Sequence, residues 1–150
     1  MVKNVITIDS NETVKVAAKL MSDREIGSLV VLEEKKVRGI ITEKDLIRRV
    51  LAENLDSEKT LIKEVMSTPP VIVKPSFPLK EAIELMFQHK IKKLIVVEGE
   101  GENLELKGII TLTDIASIEP ALLTLLVSLY EENKEKPPRR IKKVIDYYVV

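Results

Sequence analysis

The chain carries one pattern twice. Residues Val5 to Glu33 align with Pro70 to Glu98 at a constant shift of 65. Matched pairs include Lys15/Lys80, Ala17/Ala82, Leu20/Leu85, Met21/Met86, Ile26/Ile91, Leu29/Leu94 and Val31/Val96. After four extra residues in the second copy, Gly39-Ile-Ile-Thr-Glu-Lys-Asp45 aligns with Gly108-Ile-Ile-Thr-Leu-Thr-Asp114. The likeness keeps its order over the whole unit, as a duplicated structural unit does. Each copy has only about 55 to 60 residues, too few for a robust core of its own. Two such copies must therefore share one.

Both copies read the same way by pattern. A short apolar strand opens each, Val5 to Ile8 and Val71 to Val73. A helix follows, with Val14, Ala17, Ala18 and Met21 at i, i+3, i+4, i+7 spacing and Leu79, Ala82, Ile83 and Met86 repeating it. Two strands come next, Leu29 to Leu32 with Val37 to Ile41, and Leu94 to Val97 with Leu106 to Ile110. Helices then start near Thr42 and Thr111. The central strands need burial on both faces, so the expected fold is α/β (α+β): two pseudo-twofold-related β-α-β-β-α units packed sheet to sheet, with two related clefts between them. The expected divisions are a first repeat over 1–58, a second over 59–119, and a C-terminal helix and tail over 120–150. Within the joining segment, Leu61 to Val65 should make a turn or two of helix. Pro120 should break or restart a helix, the run Ala121 to Asn133 reads as a further helix, and Pro137-Pro138 stops it.

Composition narrows the chemistry. There is no Cys and one His, His89, which removes disulfides, thiolate metal sites, cysteine nucleophiles and His clusters. His89 falls near a helix end, where a cation suits the dipole. Trp is absent, and no nucleophile–base constellation stands out, so the chain reads as a non-enzyme. With 24 basic and 24 acidic residues, bulk charge does not favour a polyanion. The basic run Lys134, Lys136, Arg139, Arg140, Lys142 and Lys143 has Glu131, Glu132 and Glu135 beside it and reads as a solvated tail; nucleic acid is not the expected partner. The apolar end Val144 to Val150 suits an added strand or docking on a partner chain. The longest apolar stretch, Ala121 to Tyr130, is about half of a membrane span. A soluble, cytoplasmic protein is expected, and abundant Lys, Glu, Ile and Val with a single Gln fit a thermophile source.

The repeated Gly-Ile-Ile-Thr-x-x-Asp supports two readings. Thr42 and Thr111 are natural N-caps, and Asp45 and Asp114 fall three residues later, where a carboxylate favours a helix start. Alternatively, free N–H groups and a hydroxyl at a helix start attract an anion, and an adjacent aspartate can accept both hydrogen bonds of a ribose diol. Lys92 and Lys93, just before the second copy's central strand, could complete a phosphate site. Gly27 and Ser28 stand at the equivalent places in the first copy, so the two clefts are not equivalent.

The duplicated unit, the two motif copies and the opening Met66-Ser-Thr-Pro-Pro-Val-Ile-Val of the second repeat together resemble a tandem pair of cystathionine-β-synthase-type (CBS) domains, over roughly residues 2 to 118. The resemblance implies a regulatory module that binds AMP, ADP, ATP or S-adenosylmethionine, with or without Mg²⁺, and requires no cofactor. It implies one cleft built from Thr111, Thr113, Asp114, Lys92 and Lys93, with Val5 and Ile6 near the base. The pseudo-symmetric cleft would use Thr42, Lys44 and Asp45, with Val71 and Ile72 near the base. Lys44 stands where the motif's second hydroxyl would be, and the first copy brings no charge at Gly27 and Ser28, so the Asp114 cleft is the favoured one. A homodimer and an effector protein are implied partners. The rival readings are a ligand-free structural or protein-interaction module and a nucleic-acid-linked regulator.

Overall fold

A computed structural model describes residues 4–101 and 103–134. The sequence expectations for the end of the C-terminal helix at Pro137-Pro138, for the basic run beyond Lys134 and for the apolar end Val144 to Val150 lie outside these residues. The first copy folds as β1 (Thr7–Asp9), α1 (Val14–Arg24), β2 (Ser28–Glu33), β3 (Lys36–Thr42) and α2 (Glu43–Asp45), which runs on as a π-helical stretch over Leu46–Leu51. A short α3 (Ile62–Val65) lies in the joining segment. The second copy repeats the order with β4 (Ile72–Val73), α4 (Leu79–Gln88), β5 (Lys93–Glu98), β6 (Glu105–Thr111) and α5 (Leu112–Ile118). Pro120 opens a 3₁₀ turn, Pro120–Leu122, and α6 (Leu123–Lys134) follows.

The duplication extends to the hydrogen-bond register. In the first sheet, β1-β2-β3, Thr7 pairs with Val30 and Ile8 with Val31; in the second, β4-β5-β6, Ile72 pairs with Ile95 and Val73 with Val96. Both hairpins carry a bulge at the same place, after Val31 and after Val96. The turns differ, as their lengths require. Glu34 and Lys35 make a two-residue turn with φ of 49° and 66°, the left-handed pair that matches strand twist. The longer turn relies on Gly99 at φ 117°, where a Cβ would lie 2.1 Å from the Asn103 carbonyl oxygen.

The described residues form two compact units that do not follow the repeats. One holds both sheets, with α1, α2 and α3 (residues 4–77 and 93–111); the other holds α4, α5 and α6 (78–92 and 112–134). In the first, side chains alternate across β2. Leu29 and Val31 pack with Val14, Ala17 and Met21 of α1 and with Ile62 and Val65 of α3. Val30 faces the other way and is buried with Ile95 and Val97 of β5. Sheet thus packs on sheet, and Val30 and Ile95 are equivalent positions of the two copies meeting each other. Thr13 caps α1, its hydroxyl accepting from the Val16 N–H at 3.3 Å.

Candidate functional site

The strand register decides which side chains share a place. The residue that opens each central strand pairs with the motif threonine, Ser28 with Thr42 and Lys93 with Thr111. Lys93 then reaches the first copy as well: its ammonium donates to the Ser28 hydroxyl at 2.8 Å. The two are equivalent residues, so the pseudo-twofold axis of the sheets passes between them.

Beside this pair lies a cavity of about 200 Å³ lined by Val5, Ile6, Lys93 and Thr111, together with Asn4, Ile26, Gly27, Ser28, Val30 and Ile109. Four of the seven residues assigned from sequence to the favoured cleft therefore meet here. The walls are largely apolar, with one ammonium and two hydroxyls among them, a setting for a flat apolar group carrying an anion. The other three assigned residues belong to the helical unit. Lys92 is exposed and its carbonyl accepts the Leu112 N–H at 3.2 Å. Thr113 is exposed and Asp114 half-buried, both in the first turn of α5.

In the first copy the motif is closed on itself. Asp45 is buried, and its Oδ2 accepts from the Thr42 N–H and hydroxyl, each at 2.9 Å, while the Thr42 hydroxyl accepts the Asp45 N–H at 3.2 Å. Its Oδ1 accepts the Ser67 hydroxyl at 3.2 Å and lies 3.7 Å from Arg49 Nη1. Arg49 in turn donates to the carbonyls of Val65 and Met66 at 2.8 and 2.9 Å. The joining segment is bound along β3 by a pair of bonds between Ile40 and Ser67, which requires Gly39: a Cβ there would sit 2.6 Å from the Ser67 carbonyl oxygen. The remaining residues assigned to this cleft are apart from that network. Lys44 is exposed, Val71 accepts the Ile95 N–H at 3.2 Å, Ile72 is exposed, and none of the three lines the cavity at Lys93.

Glu43 carries no motif signal in the sequence, and Gly27 and Ser28 stand out there only as lacking charge. All three lie at or beside the cavity. Their signal was present in the alignment as pairs that differ between copies, Gly27/Lys92, Ser28/Lys93 and Glu43/Leu112. The lysines held above their usual titration range lie elsewhere. Lys107 is raised by hydrogen bonds to Glu105 and Glu98, and Lys15 by its hydrogen bond to Glu58.

Among the described residues there is no cluster of three or more His, Asp or Glu side chains suited to a metal, and no helix long and apolar enough to cross a membrane. The family model described as "CBS domain" matches residues 1–52 and 62–120. The chain is 35% identical over 116 residues to the CBS domain-containing protein YhcV of Bacillus subtilis, covering 77% of this chain and 79% of that one. It is 34% identical over 135 residues to the uncharacterized protein MK0525 of Methanopyrus kandleri, covering 89% of this chain but only 65% of that relative's length. Among solved structures, the hexameric CBS-CP12 protein from bloom-forming cyanobacteria superposes with a TM-score of 0.71 at 29% identity, covering 93% of this chain and 73% of that one.

Proposed function

The chain belongs to the CBS domain family, and from that premise we propose that it senses an adenosine ligand, AMP, ADP, ATP or S-adenosylmethionine, with or without Mg²⁺, in the cavity at Lys93. Proteins of this family are generally regulatory, ligand-sensing modules and not enzymes. The observation that carries the proposal is the meeting of Val5, Ile6, Lys93 and Thr111, drawn from both repeats, around one cavity. Val5 and Ile6 enclose the base, Thr111, Thr113, Lys92 and Lys93 hold the anionic part, and Asp114 takes the ribose hydroxyls. A ligand that touches both repeats favours one relative arrangement of them and so changes the surface offered to an effector protein. The repeats are taken as 1–58 and 59–119, followed by the helix and tail of 120–150. We assign the module to the cytoplasm and to a homodimer, for which the exposed apolar side chains of Ile47 and Leu51 are candidate contacts.

A different reading holds for the first copy. The bonds that Asp45 accepts from Thr42 and Ser67 support a structural capping role for that motif in place of a ribose role. The test is a thermal-shift panel of the four ligands. Ligand at ~100 times its dissociation constant adds about 2.7 kcal/mol, roughly 5 to 10 °C for a chain of this size. The shift should vanish in Asp114→Ala. No shift with any of the four at millimolar concentration would refute the proposal and favour a purely protein-binding module.

A further inference from the structure

The cavity at Lys93 adjoins a wider one of about 540 Å³, and Ile26, Gly27 and Lys93 line both. Two acidic side chains, Glu25 and Glu43, line the wider space. Glu43 is fixed there by its backbone, whose N–H donates to the Gly27 carbonyl at 3.1 Å. Its carboxylate oxygens lie 3.1 and 3.2 Å from the position a Cβ would take at residue 27, so the carboxylate rests close over the bare Cα of this glycine. Glu25 ends α1 in a left-handed conformation, φ 52°. The charged groups lining the two cavities are thus one ammonium and two carboxylates, and the acidic pair belongs to the first copy alone: Lys90 and Leu112 are the equivalents of Glu25 and Glu43.

We infer that Glu43, with Glu25 beside it, limits the negative charge a ligand can carry past Lys93, so that the site takes an adenosine ligand with one phosphate or a zwitterionic tail and disfavours a triphosphate. The inference rests on the adenosine-binding reading above and adds the class of tail. One phosphate beside Lys93, with a charge of about −1.5 to −2, is largely offset by the one ammonium there. A second and third phosphate, continuing over Gly27, add negative charge near the carboxylates of Glu25 and Glu43, which repel it. Selectivity here comes from a repulsive element, which acts against the wrong ligand more than for the right one.

Isothermal titration of the whole chain with AMP, S-adenosylmethionine and ATP, without Mg²⁺, tests this in the wild type, Glu43→Gln and Glu25→Gln/Glu43→Gln. Wild type should bind AMP about tenfold or more tightly than ATP, and Glu43→Gln should narrow that ratio about threefold or more with AMP affinity little changed. The double variant should narrow it further. Both side chains are exposed, so amide replacement should leave the melting temperature unchanged. A second measurement needs no variant: raising salt should narrow the wild-type ratio by screening. An AMP-to-ATP ratio indifferent to both variants and to salt overturns this inference and leaves the adenosine reading standing. Failure of every adenosine ligand to bind removes both.

Discussion

Asp45 and Asp114 occupy the same place in the two motifs, and Asp45 has its hydrogen bonding committed to its own cap and to the joining segment. Asp45 closes a capping box with Thr42 and accepts from Ser67, 22 residues further along. Asp45→Ala removes a cap and strands the Ser67 hydroxyl, so it should cost about 1 to 3 kcal/mol in urea unfolding while ligand shifts persist. Asp114→Ala should do the reverse, abolishing the ligand shift. A result in which Asp45→Ala also abolishes the ligand shift would sink the assignment of unequal roles. The Thr-x-x-Asp spacing in the sequence made the cap legible at the first copy. What it hid was Ser67, because a partner brought in by a returning strand leaves no local periodicity. Glu43 was hidden for the same reason: its place over Gly27 depends on how β3 ends and α2 begins relative to the start of β2.

At the scale of elements, the hairpins and central strands were legible because apolar runs and turn residues recur at fixed offsets in both copies. The edges were less so. The opening strands run over Thr7–Asp9 and Ile72–Val73, and Val5 and Ile6, just ahead of β1, line the cavity, with the Ile6 carbonyl still accepting the Val30 N–H at 3.3 Å. The π-helical stretch Leu46–Leu51 carries no sequence signal that separates it from an ordinary helix, as both bury one face. Burial on two faces makes β5 the least replaceable strand: Leu94, Ile95, Val96 and Val97 are all buried. Ile95→Ala should cost about 2 to 5 kcal/mol by chemical denaturation, because the opposed sheet cannot collapse into the gap. A loss below 1 kcal/mol would mean that the sheets do not pack as described.

For the whole molecule, the sheet-to-sheet core means that one repeat cannot stand alone. A fragment ending at residue 69 would leave Val30, Leu32, Val37 and Ile40 without their partners Ile95 and Val97. It should show neither a cooperative thermal transition nor dispersed amide resonances, and adding the complementary fragment should restore both. A cooperative fold for the fragment alone would refute the shared core. That requirement was readable from length and duplication, but the grouping of α4, α5 and α6 into a second unit was not, because sequence order says nothing of which helices gather together. The bond between Lys93 and Ser28 carries a last consequence. On a twofold axis a doubled chain meets its own image, and a lysine there would face a lysine. Divergence of the two halves sets a hydroxyl opposite the ammonium, so the cleft has one positive side, an asymmetry open to a tandem repeat and closed to a pair of identical halves.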